Sequence, residues 1–145
     1  MRGGENLVIF LSSLPVPKNN RYIRRRDGRV FKPPKVVHWE SRALWEIKRQ
    51  VEGYCFTEPV SVEVYFYLPD RRKRDIDNML KTLWDILERA GVLANDNLIF
   101  ETRTVKVPKS DISGTVIAIK PFDPPGEVIE EYKNLLKEFK DELSP

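Results

Sequence analysis

Residues 60–68 (VSVEVYFYL) alternate without a break. Val60, Val62, Val64, Phe66 and Leu68 point one way, and Ser61, Glu63, Tyr65 and Tyr67 point the other. A period of two predicts a strand with one buried face. Residues 6–13 (NLVIFLSS) are short and largely apolar and stop at Pro15 and Pro17, which predicts another strand. From about Val36 to Glu52, Trp39, Leu44, Ile47 and Val51 recur near helical spacing, and Gly53 is placed to end the helix. A second helix, about residues 77–90, sets Ile76, Leu80, Leu83 and Leu87 on one face and stops at Gly91. Asn95-Asp96-Asn97 reads as a turn, followed by strands at about 98–107 and 114–121.

Two smaller features complete the pattern. Tyr22–Arg26 and Arg29–Lys32 flank Asp27-Gly28, a hairpin signal, so this stretch predicts a small basic β-finger closed by Pro33 and Pro34. At the other end, Asp123-Pro124-Pro125-Gly126 is a short rigid connector to a charged amphipathic helix. Its apolar side carries Val128, Ile129, Tyr132, Leu135, Leu136, Phe139 and Leu143. The order, roughly βαβαββα, predicts an α+β domain in which helices pack on a small mixed β-sheet. The βαβαββ core spans residues 1–122, and residues 123–145 form a C-terminal helical extension of the same domain. The apolar stripe of that helix must be buried on its own body or on a partner.

Composition narrows the class. A chain of 145 residues supports one ordinary core, and 41 % apolar with 32 % charged residues fits a globular protein. No apolar run reaches membrane-spanning length, and the opening residues lack a secretory pattern, so the expected location is cytoplasmic. Cys55 is the only cysteine, which rules out an internal disulfide and is read as a buried, inert thiol. His38 is the only histidine, which argues against chemistry that relies on a histidine base or a zinc cage. The net charge of +3 is unevenly spread: residues 123–145 carry seven acids and three bases, a net of −4, leaving +7 for residues 1–122. A basic body suits a polyanionic partner.

The stretch Asp70-Arg-Arg-Lys-Arg-Asp75-Ile-Asp77-Asn78-Met-Leu-Lys81 carries the candidate chemistry. Asp75 and Asp77 lie two apart at a strand-to-helix junction, where extended backbone aims both side chains the same way. Lys81 lies one helical turn beyond Asp77. Asp96 meets the pair only if the strand after it returns alongside, which an antiparallel return would provide. Crowded carboxylates repel unless a cation sits among them. Mg²⁺ is content with a few carboxylates, water and the oxygens of a bound phosphate. Lys81 would add positive charge where a transition state gains negative charge, and Arg71, Arg72, Lys73 and Arg74 suit neighbouring phosphates. The same residues have plainer readings. Asp77 serves equally as a helix N-cap, Asp75 as an arginine's partner, and Asp77–Lys81 as a surface salt bridge worth about 0.3–0.5 kcal/mol.

Those residues resemble the signature of the RusA family of Holliday junction resolvases. The resemblance runs from Leu68-Pro69-Asp70 through Arg74-Asp75-Ile76-Asp77-Asn78, Lys81, Gly91 and Asp96. Pro15-x-Pro17-x-Asn19-Asn20-Arg21-Tyr22, the Gly28-Arg29 finger and Val105-Lys106-Val107-Pro108 extend it over about residues 8–121. It implies a homodimeric, Mg²⁺-dependent endodeoxyribonuclease, with Mn²⁺ as a substitute, that nicks four-way DNA junctions symmetrically. Carried over by position, the catalytic acids and metal ligands are Asp75, Asp77 and Asp96, and the catalytic lysine is Lys81. Asn20 and the bases near it (Arg21, Arg24, Arg25 and Arg29) fall on the DNA side. Two features depart from the pattern. Asn95 replaces an acid often found before the third catalytic position, and residues 123–145 extend past the family's compact form.

Of the aromatics, Trp39, Trp45 and Trp84 are expected in the core or an interface. Phe31, at the end of the basic finger, is the candidate for contact with exposed bases at a junction centre. The acidic last helix is expected to buttress the body or the dimer. Two rival functions stand beside resolution: a non-catalytic nucleic-acid-binding module, and a nuclease of the same chemistry acting on other branched DNA.

Overall fold

The computed structural model of the chain describes residues 6–17 and 21–144. Its elements are β1 (Leu7–Leu11), β2 (Ile23–Arg24), β3 (Val30–Phe31), α1 (Pro34–Val51), β4 (Val60–Tyr67), α2 (Ile76–Arg89), β5 (Ile99–Val107), β6 (Gly114–Pro121) and α3 (Gly126–Leu143). A single 3-10 turn at Asp96–Leu98 precedes β5. The sheet runs β1-β6-β4-β5, and β2 and β3 form the separate finger. β5 is parallel to β4, from Val60↔Ile99 to Tyr67↔Val107, whereas β6 is antiparallel to both β4 and β1. Parallel neighbours need a crossover, and α2 supplies it. The fold is therefore α+β with a mixed sheet.

The alternation of β4 decides which face is covered. Val60, Val62, Val64 and Phe66 are at most 1 % exposed, and Ile9, Ile117 and Ile119 join them on the same face. Ile47 and Val51 of α1 and Met79, Leu83, Ile86 and Leu87 of α2 close over them. Met79 rather than Leu80 is the deepest residue of the first turns of α2; the face it shares with Leu83, Ile86 and Leu87 meets the sheet, and Leu80 packs at its margin. On the opposite face the register sets Phe10, Val116, Tyr65 and Val105 in one row, all at least partly exposed.

Charged ties fix the finger and the strand edge to α1. Arg21 is buried and reaches Glu40 and Asp85, each at 2.9 Å, while Lys32 Nζ lies 2.9 Å from Glu40. Burial alone would push Glu40 up, but its bonds from Lys32 and Arg21 hold it below the usual carboxylate range. The outer edge of β1 is sealed by Gln50, which accepts the Phe10 N–H at 2.9 Å and donates to the Phe10 carbonyl at 2.7 Å.

One expectation changes here and two are narrowed to one of their alternatives. Cys55 is exposed, because it sits in the turn that follows Gly53 instead of on an apolar face. Of the three tryptophans expected in the core or an interface, the core claims Trp39 and part of Trp84, while Trp45 is 53 % exposed on the outer side of α1 between the guanidinium groups of Arg42 and Arg49, which leaves the interface reading for it. The last helix does not buttress its own body: every residue of α3 is exposed.

Candidate active site

The loop between β4 and α2 is held at both ends. Leu68 donates its N–H to the Val107 carbonyl at 2.9 Å and accepts from Ser110 N–H at 3.0 Å, so the chain leaves β4 in a fixed direction. Asp70 then organises the basic run. It accepts two bonds from the Arg74 guanidinium, at 2.6 and 3.2 Å, and one from the Arg72 N–H at 3.1 Å. Arg74 first, and the Arg72 N–H second, hold the Asp70 carboxyl at about 2. Lys106 of β5 donates to the Arg74 carbonyl at 2.9 Å, which ties the last turn of the loop to the sheet.

That loop delivers Asp75 to the cap of α2. Its backbone is extended (φ −85°, ψ 129°), yet its carboxylate makes no capping bond and only meets Asn78 Nδ2 at 3.4 Å. Asp77 follows in the first turn, 4.0 Å from Lys81 Nζ, with both side chains more than half exposed. The N-cap reading therefore fails for Asp77, and Asp75 stands at the cap without using its oxygens there. Two carboxylates and a lysine face solvent at the positive end of a helix dipole, where negative charge is favoured.

Asp96 is placed elsewhere. β5 does return antiparallel to α2, but Asp96 stands at the beginning of that return, so the end of β5 and not Asp96 arrives beside the loop. The Asp96 N–H donates to Glu88 Oε1 at 3.2 Å, near the C-terminal end of α2. Asp77 and Glu88 are separated by three turns of one helix, roughly 16 Å at 1.5 Å per residue. Accordingly, among the described residues no group of three or more His, Cys, Asp or Glu side chains is placed to hold a metal ion. The Asp75–Asp77 pair by itself fits Mg²⁺, which commonly takes one or two carboxylates and completes its shell with water and substrate phosphate.

The cations around the pair are not equivalent. Arg72 is largely exposed, and Arg71 and Lys73 are exposed too, but the Arg74 side chain is only 12 % exposed and committed to Asp70. Arg72, Lys73 and Arg74 line a cavity of about 410 Å³ together with Lys35, Trp39 and Val16. Lys35 and Lys106 were not among the residues expected at the site. Lys106 alone had a sequence signal, in the Val-Lys-Val-Pro run. In the finger, Arg24, Arg25 and Arg29 are exposed, and Arg25 lies 4.6 Å over the Phe31 ring, which is half-buried as a result. Arg21, expected on the DNA side, is turned inward. Burial would lower its guanidinium, but Asp85 and Glu40 outweigh that and hold it above its ordinary value. Asn20 lies outside the described residues.

Comparison with known proteins matches this arrangement to one family. The profile of the family described as Endodeoxyribonuclease RusA matches residues 13–120, which include the finger, the loop, α2 and the whole of β5. The chain belongs to the RusA family. A crossover junction endodeoxyribonuclease RusA of Aquifex aeolicus (strain VF5) is 54 % identical over 121 residues, covering 83 % of this chain and 96 % of the relative. The RusA of Escherichia coli (strain K12) is 33 % identical over 92 residues, 63 % of this chain and 77 % of its own length. Helix α3 lies beyond the stretch that the RusA profile matches.

Proposed function

We propose that this protein is a divalent-metal-dependent endodeoxyribonuclease that resolves four-way DNA junctions as a homodimer. The observation that supports it best is the exposed Asp75–Asp77 pair at the start of α2, with Lys81 one turn on and the exposed side chains of Arg71 and Lys73 beside it. A binding module needs the cations but gains nothing from two exposed carboxylates set beside them. The relatives' names, crossover junction endodeoxyribonuclease, agree with that chemistry.

In this reading Asp75 and Asp77 hold Mg²⁺, or Mn²⁺ in its place. When bound, the ion supplies Lewis acidity toward a phosphate and a lowered pKa for coordinated water. Lys81 sets its ammonium where the scissile phosphate gains negative charge. Arg71, Arg72 and Lys73 anchor adjacent phosphates, and Arg24, Arg25 and Arg29 carry the contact along the finger. Asp70 and Arg74 position the loop and touch no DNA. Asp96 joins the pair only across a subunit boundary, since one chain holds it at the far end of α2. A junction has two equivalent scissile strands, and a two-fold dimer offers two equivalent sites.

The test is a labelled synthetic junction incubated with purified protein and Mg²⁺, beside a flap and a linear duplex. Paired symmetric nicks in the junction, with flap and duplex spared, support the proposal. Nicking of all branched substrates alike moves the assignment to a general branched-DNA nuclease. Binding without nicking across metals and pH overturns it.

A further inference from the structure

Helix α3 presents an apolar stripe that nothing among the described residues covers. Val128, Ile129, Tyr132, Leu135, Leu136, Phe139 and Leu143 are between 44 and 68 % exposed. At 100° per residue they share one side, flanked by Glu131 and Glu138 on one edge and by Lys133 and Lys140 on the other. The stripe occupies about three positions in seven, the breadth of a helix that packs on a body, wider than a two-helix zipper seam. Exposed apolar patches of this extent are rare on monomers.

A groove elsewhere on the chain matches it in chemistry. Beside β1 lies a depression of about 380 Å³ whose apolar walls include Phe10, Leu11 and Trp45. Phe10 is 58 % and Trp45 53 % exposed. Arg42 and Arg49 rim it, 5.1 and 4.7 Å from the Trp45 ring centroid. Arg42 is paired with Glu46, but Arg49 has no carboxylate partner among the described residues. Because Gln50 already satisfies the N–H and carbonyl of Phe10, the groove offers side chains and not a free strand edge. It suits an acidic amphipathic helix.

The connector decides whose helix enters. Phe122 donates its N–H to the Pro59 carbonyl at 3.0 Å and packs on Phe100 with ring centroids 5.4 Å apart, which pins the end of β6. Phe10 pairs with Val116, near the opposite end of β6, so α3 would have to double back immediately to reach its own groove. Pro124 and Pro125 bias Asp123 and Pro124 toward extended backbone, which opposes such a reversal. The helix is therefore carried off its own sheet. A segment of net charge −4 meets a body of +7 on whichever copy it reaches.

We propose that α3 of one copy docks in the Phe10–Trp45 groove of a second copy, and that reciprocal exchange of the two helices clasps a two-fold dimer. The proposal rests on the homodimer of the function proposed above and adds the surface that holds it. In the docked pair Glu131 and Glu138 meet Arg49, which has no carboxylate partner among the described residues.

Light scattering on the eluting full chain reads the outcome. The expected mass is twice 17.0 kDa. Leu136→Glu, on a helix that packs on nothing in its own chain, and Trp45→Glu, on the groove, should each raise the dimer dissociation constant at least 100-fold; circular dichroism checks that both remain folded. In a Cys55→Ser background, chains carrying Leu136→Cys mixed with chains carrying Trp45→Cys should form a covalent dimer on oxidation. A monomeric parent chain, a dimer indifferent to Leu136→Glu, or a disulfide closed within a single chain that carries both cysteines overturns the proposal. Junction cutting by the parent chain is measured on the same samples. Cutting with a dimer that ignores α3 removes the docking and leaves the function, whereas an α3-dependent dimer that never cuts removes the function and leaves the docking.

Discussion

Asp77 and Asp96 stand at opposite ends of α2, one in its first turn and the other bonded through its N–H to Glu88 near the last. One chain cannot bring them to a common ion. A dimeric site assembled across the boundary makes a specific prediction for mixed subunits. Asp77→Asn and Asp96→Asn homodimers should both be inactive. In the mixed dimer one site carries both lesions and the other carries neither, so mixing restores nicking of one strand in roughly half of the dimers. Strand-specific labelling of the junction reads this; silence after mixing would place Asp77 and Asp96 of the same chain in one site, whereas an active Asp96→Asn homodimer would place Asp96 outside it.

Lys81 is 4.0 Å from Asp77 and more than half exposed, too loose to matter as a salt bridge. Its removal should leave stability within about 0.5 kcal/mol. Lys81→Ala should lower the single-turnover cutting rate by about 10²-fold while the junction Kd moves little. An equal loss in rate and affinity would make it an ordinary phosphate contact.

The cations divide into those that face outward and two, Arg21 and Arg74, that are turned in. Arg72→Ala or Lys73→Ala should weaken junction binding and lower the slope of log K against log salt by about one each. Arg21→Ala should leave that slope unchanged and destabilise the fold by about 3 kcal/mol, because Glu40 loses a buried partner. Salt-dependent binding and urea denaturation separate the two classes.

Asp70 sets a pH signature for the loop. Its folded carboxyl titrates at about 2, below its ordinary 3.8, so its contribution is complete above the ordinary value and is lost as pH falls from about 4 toward 2. A carboxyl-detected NMR titration should place the Asp70 midpoint at the bottom of that window, and Arg74→Gln should raise it. Asp70→Asn should slow cutting at neutral pH through disorder of the 71–75 segment, read as amide exchange.

Much of this was legible in the chain. The unbroken alternation of Val60 to Leu68 named both faces of β4, and Gly91 marked the end of α2, where φ is +81°. Asp75, Asp77 and Lys81 emerged from spacing because they sit on one local element. The placement of Asp96 did not, because it depends on the direction of β5 relative to β4, a long-range pairing with no local signature. Arg21 was misread for a related reason. Its partners Glu40 and Asp85 come from two different helices, and an arginine beside other arginines looks like a surface residue until those partners are assembled. Trp45 follows α1's periodicity poorly, and the two arginines a turn away on either side signalled a solvated position.

The amide of Gln50 has a consequence for solubility. By occupying both backbone groups of Phe10, it denies an apolar edge strand the ladder on which another copy could align as β-sheet. Association at this edge is then confined to surfaces that finish, a helix in a groove, instead of one that propagates. Replacing that side chain would free the N–H and carbonyl of Phe10, while Glu46 would still hold the Ser12 N–H beyond it.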